Sequence, residues 1–413
     1  MRSPFVLLVI VIAACGGTTE PAPLGTLTIS PASATISVGD SVTFTLTERN
    51  AAGNLVTLND VTWGYLSDGT LSLSGGTDSV HVVGLGAGAM GITAQRGAMS
   101  AVAIVRVTGI TAAKPMTNGE QIWLGPNSWT GLYGGTTSWP AVQARTHVVK
   151  LYVDAVAGAF PPDLISAVTT LNHGHLATAI EVGGVRDWNC SGASMASVEK
   201  AKLFHFVDEG GVVSFLDMDS PFGHAMVNTI PGNCGLSMTQ VAQQLVPYIH
   251  EMRAAYPGVK IGLIEPVPWY SVGTYRPNPG NDFGDLPTLL DTLTAVLAAA
   301  GEHIDYFHAD APYDYDQAHP NGWAKLVALA AAVRSHGLRF GLILNSEAGG
   351  TAGDQEFHDQ TLAAFTAFKN AGGRSDDVIV QSWYPHPSAM APEGTAFTFT
   401  ATAKDLIALY DLP

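Results

Sequence analysis

From about residue 113 onward the chain repeats one unit eight times, a short apolar run followed by residues of helical or loop character. The strand candidates are Gln121–Pro126, His147–Val153, Ala177–Val182, Val212–Asp217, Val259–Glu265, Ile304–Asp310, Arg339–Leu344 and Asp377–Trp383. Segments of helical period lie between them at Met195–Asp208, Thr239–Ala255, Leu286–Ala300, Gly322–Ser335 and Gln355–Asn370, and Ala401–Tyr410 follows the last strand. A continuously apolar strand must be covered on both faces, and a helix between two such strands makes them parallel. Eight units in about 300 residues predict an α/β fold, a (β/α)8 barrel over residues 113–413. The alternative is a doubly wound open sheet, but no G-x-G-x-x-G and no P-loop follows any strand to mark a nucleotide site.

The region before it has a different texture. From Thr26 to about Val107, short runs of period two such as S-V-T-F-T-L-T and A-V-A-I-V-R-V are punctuated by Gly, Asp, Asn or Ser. About seven strands at spacings near ten residues predict an all-β sandwich over residues 26–108, immunoglobulin-like but without the antibody cysteine pair. The stretch Ile29–Thr45, I-S-P-A-S-A-T-I-S-V-G-D-S-V-T-F-T, resembles the opening of bacterial Ig-like group 2 domains. That resemblance implies a spacer or adhesive module, with Trp63 in its core.

The first fifteen residues, M-R-S-P-F-V-L-L-V-I-V-I-A-A-C, combine a charged start, a short apolar run and small residues before a cysteine. They resemble the bacterial lipoprotein signal, which implies a signal peptide over 1–14, lipid on Cys15 and a flexible tether over 15–25. An ordinary signal peptide or an uncleaved anchor is the alternative. Export to the cell envelope, on the outer membrane, its periplasmic face or the cell surface, leaves Cys190 and Cys234 as two cysteines able to pair in an oxidising compartment; two free thiols are the alternative.

Charge excludes some partners. The chain has 19 Lys plus Arg against 35 Asp plus Glu, a formal net charge of −16, and no basic cluster. It would repel a phosphate backbone, so no nucleic-acid partner is expected. A monomer whose one membrane contact is the lipid is expected instead.

In a barrel of this kind, catalytic groups come from the C-terminal ends of the strands. Here those ends are acidic and aromatic: Glu181; Asp217 and Asp219; Glu265 with Trp269 and Tyr270; His308 and Asp310 with Tyr313; Asn345 and Glu347; Gln381 with Trp383 and Tyr384. Trp188, after the third strand, joins the aromatic set. Glycoside cleavage needs one carboxyl to protonate the leaving oxygen and a second to attack the anomeric carbon or activate water, with their pKa values pushed apart. Trp and Tyr offer the flat faces on which sugar rings stack. Neither H-x-H on the first strand nor H-E-x-x-H occurs, and no G-x-S-x-G elbow is present, so no catalytic metal, cofactor or serine triad is expected.

These motifs resemble TIM-barrel glycoside hydrolases, especially the retaining clan A families, through Glu347 in L-I-L-N-S-E, Trp383 in V-I-V-Q-S-W-Y and the pair Glu265-Pro266. The resemblance implies Glu347 as nucleophile, Trp383 lining the subsite of cleavage and Glu265 as acid/base. Two features depart from the clan: Glu265 follows Ile264 instead of Asn, and it ends the fifth strand. Asp219 with Asp310 is the second candidate pair. The expectation is an exported glycosidase acting on a poly- or oligosaccharide; a non-catalytic carbohydrate-binding or adhesion lipoprotein is the alternative.

Overall fold

The structure, a computed structural model, describes residues 25–37, 40–65, 71–84, 88–97, 99–108, 120–133, 139–174, 176–227, 234–278 and 282–410. The signal peptide, Cys15 and all but the last residue of the tether lie outside the described residues.

Nine strands precede the barrel among the described residues: β1 (Thr26–Ser30), β2 (Ser33–Ser37), β3 (Ser41–Arg49), β4 (Leu55–Val56), β5 (Thr62–Tyr65), β6 (Leu71–Gly75), β7 (Ser79–Gly84), β8 (Gly88–Arg96) and β9 (Met99–Thr108). They form two sheets, one ordered β1-β3-β7-β6 with β4 on β3, the other β2-β9-β8-β5. Alternation puts every second side chain inward. Phe44, Leu46, Val80 and Val82 of the first sheet thus meet Ile92, Ala94, Val105 and Val107 of the second in one apolar core, with Trp63 packed against it. Two of the nine strands, β4 and β6, were not anticipated. One is two residues long and the other alternates Leu with Ser, so neither carries a strong apolar signal.

The second unit closes on itself. Strands β10 (Gln121–Gly125), β11 (Thr146–Tyr152), β12 (Ala177–Val182), β13 (Phe215–Asp219), β14 (Lys260–Pro266), β15 (Tyr306–Asp310), β16 (Arg339–Leu344) and β17 (Asp377–Gln381) pair in sequence order, and β10 returns to β17 with Gln121 opposite Asp377. All eight pairings are parallel. Closure rules out the open doubly wound sheet. The fourth strand starts three residues later than anticipated and runs on to Asp219, carrying both aspartates of the D-M-D sequence within the barrel wall.

Helix starts follow from capping. Ser191 accepts a hydrogen bond from Ser194 N before Gly192–Asp208, Ser237 and Gln240 form a reciprocal box before Met238–Ala255, and Asp285 accepts from Thr288 N before Leu286–Ala299. Each cap satisfies an N–H that the first helical turn leaves unpaired. The helices cover the outer face of the strands with Leu, Val, Phe and Met.

The inner face is filled by a separate cluster that includes Trp123, Val148, Ala179, Phe215, Ile264, Tyr306, Ile343 and Ile379. Trp123 packs edge-on against Phe215 and His308, each at 4.8 Å between ring centroids. Two glycines make room: a Cβ on Gly262 would stand 2.0 Å from the Tyr306 ring, and one on Gly341 would stand 2.3 Å from His308. The lumen is therefore a packed core that lifts the polar residues toward the C-terminal mouth.

Candidate functional site

A chain of charges threads the barrel. Arg339 pairs with Asp377, whose other oxygen lies 3.5 Å from His308 Nε2; His308 Nδ1 lies 3.4 Å from Asp217 Oδ1. Lys150 Nζ then bridges Asp217 Oδ2 at 3.3 Å and Glu181 Oε2 at 2.9 Å. Lys150, Asp217, His308 and Asp377 are fully buried. Burial pushes the Asp217 carboxyl up, but the charges of His308 and Lys150 outweigh it and hold the pKa at about 2. Burial likewise opposes charge on Lys150, and its two carboxylate partners overcome it and raise its pKa. Each of the four buried groups has an opposite charge no more than 3.5 Å away, which offsets part of the cost of burying it.

Above this layer a cavity of about 490 Å³ opens at the C-terminal mouth. Of the residues anticipated from sequence, Glu181, Asp219, Asp310, Glu347, Trp269, Gln381, Trp383 and Tyr384 line it. Asp219 Oδ2 accepts from Arg186 Nη2 at 2.9 Å, and Oδ1 accepts from Ser220 Oγ at 2.9 Å. Ser220, the next residue, holds the left-handed φ of 50°, an uncommon state for a side-chain-bearing residue and one that clusters at functional sites. Asp310 Oδ1 accepts from Asn345 Nδ2 at 3.1 Å. Burial, then the charge of Asp219, pushes the Asp310 pKa up to about 7. Trp383 is 41% exposed, and its ring lies 5.3 Å from that of Tyr384.

The remaining anticipated residues lie elsewhere. Glu265 shares a face of β14 with Ile261 and Leu263, which belong to the helix-side core, while Ile264 fills the lumen. It is wholly buried and accepts hydrogen bonds from Phe222 N at 3.0 Å and Tyr270 Oη at 2.6 Å. Burial raises its pKa to about 8. Glu265 thus fastens the loop after β13 and is turned away from the cavity, so the acid/base role expected of it has no geometric support. Tyr270 goes with it, and Tyr313 packs against Trp323 outside the cavity lining. Asp217 and His308 are sealed beneath the floor, and Asn345 acts on the site only through Asp310.

Glu347 does reach the cavity, but from the rim. The residues of β16 and its extension that face inward are Gly341, Ile343 and Asn345; two residues on, the backbone has already turned into the helix Glu347–Ala352. Glu347 is exposed there, and its N–H donates to Asp314 Oδ1. Trp188 is 63% exposed and lines a second hollow of about 300 Å³ beside the first. Cys190 and Cys234 are disulfide-bonded, with Cα atoms 5.5 Å apart, and join the loop after β12 to the segment after β13.

Sequence reasoning missed Lys150, Arg186, His224 and Tyr315, all of which line a hollow or support a residue that does. One signal was available: Lys150 interrupts the apolar run V-V-K-L-Y, where a lone charge in a buried strand demands a partner.

Fold and site together define the class: a closed (β/α)8 barrel with an acidic, aromatic-lined mouth, preceded by a two-sheet β unit. No protein-family model matches the sequence, and no curated protein matches it. Among solved structures the chain is similar to domains 4 and 5 of the S-layer protein SbsC, at 25% identity over 20% of this chain and 50% of that chain, with a TM-score of 0.19. It thus spans about half of that surface-layer chain. It is also similar to D-psicose 3-epimerase in the presence of D-fructose, at 9% identity over 70% of this chain and 97% of that chain, with a TM-score of 0.37. A protein described as an alpha-galactosidase from Bacteroides fragilis shares 12% identity over 86% of this chain and 57% of that chain, with a TM-score of 0.21. Similarity at these levels carries no argument about activity.

Proposed function

We propose that the barrel is a glycoside hydrolase whose working carboxyls are Asp310 and Asp219. The observation that carries this reading is the contrast between the two at one cavity wall. Burial brings the Asp310 pKa to about 7, whereas Asp219 is ion-paired to Arg186. A carboxyl whose pKa is raised to about 7, in one cavity with a second carboxyl set in an ion pair, gives the contrast of surroundings that glycosidic cleavage requires. Asp310 delivers its proton to the leaving oxygen. If the carboxyls stand about 5–5.5 Å apart, Asp219 attacks the anomeric carbon and the resulting glycosyl ester is hydrolysed by a water whose proton returns to Asp310; if they stand about 6.5–9.5 Å apart, Asp219 takes the proton of the water that attacks that carbon. Trp383, Tyr384 and Trp269 present ring faces to the sugar.

The rest of the chain fits an exported enzyme in the same proposal. Lipid on Cys15 anchors it in the cell envelope, and the β-sandwich, read as Ig-like, holds the barrel away from the membrane. The test is release of reducing ends from a panel of polysaccharides by the purified chain. Wild type turns over at least one of them, and Asp310→Asn and Asp219→Asn each lose turnover by orders of magnitude while melting as wild type does. Glycan binding with no turnover would favour a carbohydrate-binding lipoprotein.

A further inference from the structure

We infer that the site is a two-sided cleft that takes an internal stretch of a glycan chain, with the Trp188 loop forming the subsite on the far side of the acids. This rests on the glycosidase reading above and adds the mode of action, cleavage within a polymer.

The two hollows at the mouth are contiguous, since Glu181 and His224 line both. The Asp219–Arg186 ion pair straddles the same boundary: Asp219 belongs to the first hollow and Arg186 to the second. The proposed reacting carboxyl therefore stands between two open spaces. A site that removed single terminal units would be closed on one side.

Each side carries an exposed indole. Trp383 marks the first hollow and Trp188 the second, the latter 63% exposed. An indole that open is unusual for a side chain that gains so much from burial. Its loop is nevertheless fixed. Arg186 and Asn189 exchange backbone hydrogen bonds at 3.2 and 3.0 Å, the disulfide at Cys190 ties the loop to Cys234, and buried Glu199 accepts from Gly183 N. A platform already held in place loses little further freedom when a ligand docks on it, which favours binding.

Buried polar atoms near the boundary point the same way. Gln381 lines the first hollow and donates from Nε2 to Glu181 Oε2 at 2.9 Å, while its Oε1 is buried without a partner. A carbonyl in that state accepts well from a sugar hydroxyl. Lys202 and Arg186, which face the second hollow, are paired with Asp154 and Asp219, so that side presents no free cation of their making and suits a neutral chain.

The experiment uses full-length protein with cello-, xylo-, manno- and β-1,3-gluco-oligosaccharides of two to six units. Affinity is measured by tryptophan fluorescence on the Asp310→Asn variant, and the product lengths are measured on the wild type. We expect affinity to keep rising with length beyond the units that fill one hollow, and internal cleavage to dominate. Adding Trp188→Ala should weaken the six-unit ligand about tenfold and reduce the ratio of long-ligand to short-ligand affinity, whereas Trp383→Ala should weaken all lengths. Release of terminal units alone, with the length dependence untouched by Trp188→Ala, would overturn the two-sided cleft and leave the glycosidase reading standing. Length-dependent binding through Trp188 without any cleavage would support the cleft and overturn the glycosidase reading. Trp188→Ala is expected to fold, because the side chain is mostly in solvent; an intact disulfide, shown by the absence of titratable thiol at Cys190 and Cys234, verifies the loop.

Discussion

Lys150 Nζ lies 2.9 Å from Glu181 Oε2, and no solvent reaches the lysine. This pair joins the interior of the barrel to its mouth: the same amine neutralises Asp217 below and fixes the carboxylate that lines the cavity above. Glu181 is held from the other side by Gln381 Nε2, so its place at the cavity floor is determined by three strands. Its value to the protein is geometric, since a buried ion pair contributes little net stability yet is costly to break.

Breaking that pair from one side gives the first prediction. Lys150→Met leaves Glu181 with no cation and Asp217 buried with His308 alone opposite it, and should cost about 3–5 kcal/mol in denaturant unfolding. Adding Glu181→Gln should recover part of the loss, because the carboxylate left without a cation is then replaced by a neutral amide. If the double variant were no more stable than Lys150→Met, the bridge to Glu181 would not be the interaction being broken.

On the proposed reading, Asp310 should set the alkaline limb of the pH profile. It must carry its proton to act as the acid, and its pKa is about 7, so turnover should fall about tenfold per unit as pH rises beyond that point. Asp310→Asn should abolish this limb along with about 10²–10⁴ of the rate. It should not lower the melting temperature at pH 8. The folded pKa stands above the unfolded value of about 3.9, so the folded state loses stability as pH rises between the two, and the amide removes that loss.

Glu265 should behave as a structural acid. Its pKa is raised to about 8 in the folded chain, above an unfolded value of about 4.3, so the native state binds the extra proton throughout that window. Its contribution is greatest below the unfolded value and declines as pH climbs through 8. Denaturant unfolding of Glu265→Gln at pH 5 and pH 8 should therefore show a smaller decline than wild type, with turnover within a few-fold. A collapse of turnover without loss of stability would restore Glu265 to the catalytic pair.

The disulfide spans a separation of 44 residues. Chain entropy assigns a cross-link of that length about 4 kcal/mol, with measured cases mostly at 2–4. Cys190→Ser should lower stability by about that amount. It should also lower kcat on long glycans, because Arg186 and Trp188 share the loop that the bond pins. Equal melting temperatures for Cys190→Ser and oxidised wild type would refute the first expectation.

Much of the architecture is legible in the chain. Local apolar period separates strand from helix, and the eight recurrences set the strand number of the barrel. Ala177–Val182 and Arg339–Leu344 are strands with the anticipated bounds. Strand ends rich in Asp, Glu, Trp and Tyr likewise locate the mouth. The assignment of roles among those residues is another matter. Which face a strand-end acid occupies depends on parity within the wall, so a shift of one residue separates Ile264 in the lumen from Glu265 in the helix layer. Glu347 keeps the inward parity of Gly341, Ile343 and Asn345, yet the chain has left the strand before reaching it.

The sequence by itself determined elements with local causes: the strands, the capped helices, the acidic and aromatic strand ends. Only the tertiary structure decided which charges meet. Lys150 and Asp217 lie 67 positions apart, and Arg186 and Asp219 are 33 apart. Their pairing follows from barrel closure, which brings distant strands around one low-dielectric axis. There burial raises a carboxyl's pKa unless close opposite charges outweigh it: beside His308 and Lys150, Asp217 falls to about 2, while Asp310, buried and near the like charge of Asp219, rises to about 7.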